Sequence, residues 1–193
     1  MNLKDLVPEI VLASGSPARR ELLENLGIKV MVRPQDCLEF TDEKEPGKVV
    51  ESLSRLKLDS YMKNMDFNPD MPALACDTLL WFESRFIGKA HSPQEARDQI
   101  ASLSGKTHQV YSGYSLYIKG NIYSGSDYAN VTFSTISEMK LNEYISSNQW
   151  VGAAGSYHIF GLAVDFIKKT EGDVNTVIGL PLVKLEELLK SAL

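Results

Sequence analysis

Apolar residues in the first half of the chain recur with the periods of alternating strands and helices. IVLAS (residues 10–14) and IKVMVRP are short apolar runs typical of strands, and the residues between them have helical spacing. A second helix is predicted for residues 46–63, followed by a buried strand in ALACDTLLWF (residues 73–82). This order predicts a β-α-β opening.

Strands predominate in the second half. FIGKA is expected to pair back on residues 73–82 as a hairpin, and two strands are expected around the turn at residues 119–121. Strands and helices therefore alternate first, and strands then run together, which predicts an α/β fold with a mixed twisted sheet and flanking helices. The remaining predicted elements are a helix that starts after Ser92 and ends at Gly105, a helix over residues 137–147, a late strand in GSYHIFGLAVDFIKK and a closing amphipathic helix in PLVKLEELLKSAL.

Composition restricts the class of protein and its partners. The chain has 193 residues, 44% of them hydrophobic and 23% charged, which fits one sizeable domain or two small lobes sharing a core. A net charge of −5 argues against nucleic-acid partners and against anionic membranes. No apolar run approaches the roughly 20 residues that span a bilayer, and the polar N-terminus is unlike a signal peptide. Because Cys37 and Cys76 form no CxxC motif, we expect reduced thiols and a cytoplasmic protein.

The first helix begins with residues that suit an anion. Ser16 is predicted as its N-cap and Pro17 as its first residue, and Arg19 and Arg20 follow, although cations there oppose the helix dipole. An anion in front of the helix would account for both arginines, since free N–H groups bind phosphate and arginine adds bidentate hydrogen bonds. The hydroxyls of Ser14 and Ser16 could donate to the same anion. Alternatively, Arg19 shares a helix face with leucines and extends along the rim of the core.

Three further charged residues interrupt apolar patterns. Lys57 falls at the edge of the inward stripe of the 46–63 helix, where it either extends to solvent or faces a charged partner. Asp77 stands within an apolar strand, where a carboxylate needs a lysine, a metal ion or a catalytic water; capping a neighbouring turn is the alternative. Lys89, in FIGKA, either lies on the strand next to Asp77 or is an ordinary surface lysine.

These residues together suit metal-assisted attack on a phosphate ester or anhydride, which needs an anion site, inward cations and a carboxylate. The chain has neither a Walker A loop nor a GxGxxG motif, and no Ser-His-Asp or Cys-His signature with its usual flanks. The acidic segment DCLEFTDEKE is expected to be a solvated loop, from which one carboxylate could join a metal site.

Five segments, in order and covering nearly the whole chain, resemble the motifs of the Maf family of nucleoside triphosphate pyrophosphatases. The similarity predicts membership of that family. LASGSPARRELLENLG resembles SxSPRRxELL, SLSRLKLDS resembles LAxxKA, CDTLLWFESRFIGKA resembles ADTVVxxDGxxxGKP, LSGKTHQVYSGYSL resembles LSGRxHxVxTG, and EGDVNTVIGLPL resembles EGxxxNVxGLPL.

The resemblance implies a single domain over residues 1–193 with two lobes around a central cleft, similar to the inosine triphosphate pyrophosphatases. It implies hydrolysis of a nucleoside triphosphate to the monophosphate and pyrophosphate, a reaction on an acid anhydride, with Mg²⁺ or Mn²⁺. Family membership also suggests a homodimer. Asp77 takes the place of the family's proton acceptor, and the phosphate-binding or catalytic positions fall on Ser14, Arg19, Lys57 and Lys89. The family's acidic-loop glutamate corresponds to Glu39, which with Asp77 would hold the metal, although this chain has Leu38 where the family usually has aspartate.

The positions to which the family's base specificity is attributed are Ala18, Thr78 and Phe160 in this chain. Only Thr78 keeps the residue common in dTTP/UTP enzymes, and Phe160 replaces a glutamine. In these departures the chain resembles the branch of 7-methyl-GTP pyrophosphatases, which also has a residue other than arginine after Ser-Pro and an altered AGS segment. A cationic methylated purine could use an aromatic neighbour such as Phe160. Alternatively, Phe160 packs in the core as part of an apolar strand. A nucleotide-binding regulator of septum formation with little turnover is the other function that the resemblance leaves open.

Overall fold

A mixed sheet carries the fold in this computed structural model, which describes residues 3–192. The described residues form seven strands in the order β2-β1-β3-β5-β6-β7, with β4 paired to β3. Pairing is parallel for β1 with β2 and with β3, and antiparallel for β3 with β4 and for β6 with β7. With helices flanking this sheet, the predicted mixed α/β fold is confirmed.

The predicted helices and strands match the structure closely in the first half and less well after residue 150. The strands are β1 (Glu9–Leu12), β2 (Lys29–Val32), β3 (Ala73–Phe82), β4 (Arg85–Ile87), β5 (Thr107–Ile118), β6 (Asn121–Phe133) and β7 (Ile167–Glu171). The helices are α1 (Leu3–Leu6), α2 (Pro17–Asn25), α3 (Pro46–Met62), α4 (Pro93–Leu103), α5 (Glu138–Ser146), a 3-10 helix (Gly161–Phe166), α6 (Val174–Ile178) and α7 (Leu182–Ala192). None of the helices in the described part of the chain has the length and apolar character needed to cross a bilayer.

Three differences from the predicted elements have local causes. The short helices α1 and α6 were not expected, since each has too few residues to show a helical period. The late strand covers only Ile167–Glu171, because Gly161 has a φ of +69° and the chain then winds into a 3-10 helix. The hairpin expected for FIGKA ends at Ile87, and the backbone of Lys89 instead bridges to Ala154.

The chain divides into two compact units. The first comprises the described residues up to Asp77, Ser112–Asp127, and those from Gly179 onward. Strand alternation separates its apolar residues into two clusters, because successive side chains point to opposite faces. Ile10, Leu12, Leu74, Cys76 and Leu116 belong to one cluster with Leu23, Leu185 and Leu189, whereas Val11, Ala13, Ala73 and Ala75 belong to the other with Leu58 and Tyr61 of α3.

The second unit comprises Thr78–Tyr111 and Tyr128–Ile178 and has a core rich in aromatic residues. A polar pair lies buried in it, with Nε2 of His108 2.7 Å from the Tyr157 hydroxyl. Phe133 packs edge-on against both rings. Burial lowers the pKa of His108 from 6.5 to about 4, so the imidazole is neutral at physiological pH.

Candidate functional site

Strand alternation determines which way Asp77 faces. Ala73 and Ala75 lie on the face of β3 that packs against α3, and Asp77, two residues further along, falls on the same face. Leu74 and Cys76 face the opposite cluster. The carboxylate that interrupts the apolar strand is therefore directed to the side where α3 lies.

Close packing on β5 and β6 fixes the position of α3. A Cβ atom at Gly113 of β5 would lie 2.3 Å from the carbonyl of Val50, so only glycine allows the helix backbone to come this near. Hydroxyls complete the attachment, since Oγ of Ser54 is 2.9 Å from Oγ of Ser115, which is 2.8 Å from Oγ of Ser124. The side chains on the β3 side of α3 are thereby held at a fixed distance from that strand.

Lys57 joins two carboxylates at this point. Its Nζ donates to Oδ1 of Asp77 in a short contact and lies 3.1 Å from Oε1 of Glu39. The side chains of Lys57 and Asp77 are only 14% and 9% exposed, whereas that of Glu39 is 48% exposed. We call these residues the Lys57 cluster. The prediction that Lys57 faces a charged partner is confirmed.

One oxygen of the Lys57 cluster has no partner. Oδ2 of Asp77 is buried and makes no hydrogen bond to any described residue. A buried carboxylate oxygen without a donor costs free energy, so such an atom in a native fold indicates a position for water, a metal ion or a substrate.

The loop between β2 and α3 supplies Glu39 and a thiol. Gln35 ties the loop to α3, because its side-chain oxygen accepts from Oγ of Ser60 and from Nδ2 of Asn64. Cys37 precedes Glu39 by two residues in this loop, and its thiol senses the charges of the Lys57 cluster. Burial and the Glu39 carboxylate raise the pKa of Cys37, so this thiol stays protonated rather than acting as a nucleophile. Cys37 was not among the predicted site residues, although its spacing from Glu39 was a signal.

Arg19 is buried and braces the backbone. Its Nε donates to the carbonyl of Gly179 at 2.8 Å, and its Nη1 donates to the carbonyl of Cys76 at 3.0 Å and to Oγ of Ser14 at 2.8 Å. We call Arg19 and these three acceptors the Arg19 brace. It ties together the end of β1, the residue before Asp77 and the turn before α7. The rim position is therefore wrong, and the phosphate-binding role of Arg19 stays a prediction.

The remaining residues of the helix start have local partners. Ser16 is the N-cap of α2 as predicted, since its hydroxyl accepts from the backbone N–H of Arg19. Ser14 accepts from the N–H of Ser16 as well as from Arg19. Arg20 is exposed and pairs with Glu24 one turn along the helix, while Ala18 is partly exposed. Substrate contacts by Ser14, Ser16, Arg20 and Ala18 stay predictions.

The other predicted site residues belong to the second unit. Lys89 is exposed, and Thr78 is partly buried. Phe160 is 49% exposed and precedes the 3-10 helix, so the alternative that it packs in the core within a strand is wrong. Its ring stacks on His158 with an interplanar angle of 12° and a centroid distance of 5.0 Å. The roles of Lys89, Thr78 and Phe160 in catalysis and specificity stay predictions.

The donor set at Asp77 and Glu39 fits a divalent cation that keeps most of its other ligands from water and phosphate. Among the described residues, no three His, Cys, Asp or Glu side chains are grouped so that they could hold a metal by themselves. Mg²⁺ needs no such cage, because it binds through one or two carboxylates and keeps waters and phosphate oxygens. The unpartnered Oδ2 of Asp77 is an oxygen of this kind.

Comparison with known proteins places the chain in a family. A sequence model of that family, described as Maf-like protein, matches residues 9–192. A dTTP/UTP pyrophosphatase of Bacillus cereus is 36% identical to the chain over 183 residues, which cover 94% of each protein. The proteins with the same name from Bacillus thuringiensis subsp. konkukian and Bacillus anthracis are 35% identical over the same share of each chain. The chain belongs to the Maf family, as its five motifs predicted.

Proposed function

We propose that this chain is a nucleoside triphosphate pyrophosphatase, which hydrolyses a nucleoside triphosphate to the monophosphate and pyrophosphate. The observation that carries the proposal is the buried carboxylate of Asp77, with one oxygen held by Lys57 and the other unpartnered. Membership of the Maf family and the names of three relatives support the reaction class, a hydrolysis of an acid anhydride.

Asp77 is suited to activate the attacking water. In the free protein the hydrogen bond from Lys57 to Oδ1 fixes the carboxylate, and Oδ2 is left open towards a water molecule, whose proton Asp77 would accept. The water oxygen bonds to the α-phosphorus, and the bond from that phosphorus to the α,β-bridging oxygen breaks. Pyrophosphate leaves with the electron pair, and the proton passes to Asp77.

Lys57 is the nearest source of positive charge for the phosphates. A partly buried ammonium stabilises the charge that develops on the leaving group more strongly than an exposed one, because less water screens it. Lys89 is proposed as a second cation for the polyphosphate. The Arg19 brace acts indirectly, since it fixes the carbonyl of the residue before Asp77 and orients the hydroxyl of Ser14.

Asp77 and Glu39 are the residues that would hold Mg²⁺ or Mn²⁺. When bound, such an ion neutralises phosphate charge and polarises the phosphoryl group under attack. Glu39 suits this task because it is half exposed and lies in a loop, so its carboxylate can adjust to a ligand.

Two observations point to different bases. The names of the relatives and the presence of Thr78 favour dTTP and UTP. The exposed ring of Phe160 instead offers a stacking face, which suits a purine, and most of all a cationic methylated one. The branch of 7-methyl-GTP pyrophosphatases stays a prediction, and Ala18, Thr78 and Phe160 are the proposed specificity residues.

Pyrophosphate release from a panel of triphosphates tests the proposal. The panel contains dTTP, UTP, GTP and 7-methyl-GTP, each with Mg²⁺ and with Mn²⁺. We expect the wild type to turn over at least one member, and Asp77→Asn to lose about a thousandfold or more in kcat. Asp59→Asn is the matched control, because it changes an exposed aspartate of α3 that pairs with Arg55. A wild type that binds a triphosphate tightly and releases no pyrophosphate would instead favour the regulator.

A further inference from the structure

The ammonium of Lys57 stands where a metal ion would be expected. It contacts one oxygen of Asp77 and one of Glu39, the two carboxylates that fit a divalent cation. We propose that Lys57 is the resident cation of this carboxylate pair, and that it opposes metal binding until a polyphosphate draws the ammonium away. The polyphosphate half of this inference rests on the proposed function, whereas the opposition between Lys57 and the metal does not.

Charge balance supports the inference. Two carboxylates and one ammonium leave the Lys57 cluster with a net charge of minus one, and without the ammonium it would carry minus two. A divalent ion at Oδ2 of Asp77 would lie within a few ångströms of Nζ, because the two oxygens of one carboxylate are close neighbours. Repulsion over such a distance is strong when burial removes the screening by water.

Burial keeps Lys57 in place in the free protein. Its side chain is 14% exposed, and moving the ammonium away would leave the Asp77 carboxylate buried without compensation. A metal ion alone therefore has to displace a partner that is already desolvated. Oδ2 of Asp77 remains the one carboxylate atom of the cluster that is both buried and unpartnered among the described residues, and it gives the metal its point of entry.

A triphosphate changes this balance because it offers the ammonium a better partner. Its oxygens are strong acceptors of charge-assisted hydrogen bonds, and the flexible stem of lysine allows Nζ to move to them. The freed carboxylates then accept the metal that accompanies the triphosphate. Substrate and metal would thus be bound together rather than the metal first, and Asp77 would stay neutralised while the site is empty.

Binding of Mn²⁺ alone, measured calorimetrically without any nucleotide, tests the opposition. Lys57→Met is expected to bind Mn²⁺ tighter than the wild type by about tenfold or more. Lys57→Arg keeps the charge and is expected to bind it as weakly as the wild type. Arg55→Met is the matched control, since it removes an exposed cation of the same helix that pairs with Asp59, and no change is expected. Adding Asp77→Asn to Lys57→Met should abolish the gain.

Equal or weaker binding of Mn²⁺ by Lys57→Met would overturn the inference, and so would an equal gain in Arg55→Met. Thermal unfolding checks that each variant is folded. If Lys57→Met does not fold, binding of Mn²⁺ is measured with Lys57→Gln instead. The binding measurement does not depend on turnover. A protein that is inactive towards every triphosphate would therefore contradict the proposed function but would not affect the test of Lys57. Conversely, if the wild type is active and Lys57→Met gains no affinity for Mn²⁺, only the inference about Lys57 is contradicted.

Discussion

Arg19 and Lys57 are a buried and a partly buried cation of the first unit, and their surroundings differ in kind. Arg19 donates to two backbone carbonyls and a serine hydroxyl, so its guanidinium is used by the fold itself. Lys57 contacts two carboxylates, one of which keeps a buried oxygen unpartnered. A fold that needed only stability would favour full satisfaction of buried polar atoms. We therefore expect loss of the Arg19 brace to lower stability and loss of the Lys57 cluster to lower the proposed activity.

Arg19→Met gives the largest stability effect expected in this comparison. The change leaves the carbonyls of Cys76 and Gly179 without their donor, so the free energy of unfolding should fall by about 3 kcal/mol. Arg20→Met removes the neighbouring arginine, which is exposed and paired with Glu24, and should change it by less than about 0.5 kcal/mol. Urea unfolding measures both. An Arg19→Met protein that unfolds like the wild type but has lost turnover would instead show that Arg19, like the Lys57 cluster, serves the reaction.

Glu39→Gln should show the opposite behaviour. Glu39 is half exposed, so loss of its charge is expected to leave the free energy of unfolding within about 0.5 kcal/mol of the wild type. Turnover with Mg²⁺ should fall by about 30-fold, because one of the two carboxylates proposed to hold the metal is lost. Glu43→Gln, an exposed change in the same loop, is the control. Should Glu39→Gln destabilise the protein while turnover persists, Glu39 would merely anchor the loop.

His108 extends the comparison to a buried polar centre of the second unit. The pKa of this imidazole is lowered to about 4 by burial, against 6.5 in the unfolded chain. Between these values the unfolded state binds the extra proton, so stability is fully present above pH 6.5 and declines as the pH falls towards 4. From pH 7 to pH 5 this should cost the wild type about 2 kcal/mol of unfolding free energy.

His108→Gln removes this titration and should lose correspondingly less stability between the two pH values. His158, whose pKa is also lowered by burial, is unchanged in the variant and contributes equally to both proteins. The control is His91→Gln, because His91 is exposed. Urea unfolding at pH 7 and pH 5 gives the result, and identical pH dependence in wild type and His108→Gln would mean that His108 is not the buried neutral group.

The Lys57 cluster was predictable from the sequence because its residues violate local patterns. Asp77 interrupts an apolar strand and Lys57 breaks the inward side of a helix, and each violation needs a partner. Glu39 lies in a loop without periodicity, so only the family resemblance identified it. Apart from α1, the helices and strands up to residue 150 followed from apolar spacing and capping residues.

The Arg19 brace could not be predicted, because two of its three acceptors are backbone carbonyls, which every residue carries. The carbonyl of Gly179 is far from Arg19 in sequence, and no side-chain pattern marks it. The strand assigned around Phe160 failed for a different reason: the apolar residues after Gly161 suggested a strand, while that glycine turns the chain into a 3-10 helix.

Phe160→Gln is expected to have a small effect, and it concerns selectivity for the nucleotide base. Phe160 is half exposed, so neither the stability of the second unit nor the chemistry at Asp77 should depend on it. The loss of a stacking face and the gain of an amide should shift the ratio of kcat/KM for 7-methyl-GTP against dTTP towards dTTP by about fivefold. Val164→Gln makes a similar change at a residue that is 50% exposed and should leave the ratio unchanged.

An equal shift in both variants would indicate a general effect of surface polarity, and no shift in either would leave Thr78 and Ala18 as the proposed specificity residues. A shift confined to Phe160→Gln would show that this chain reads its base with a residue that neither stabilises the fold nor takes part in the hydrolysis.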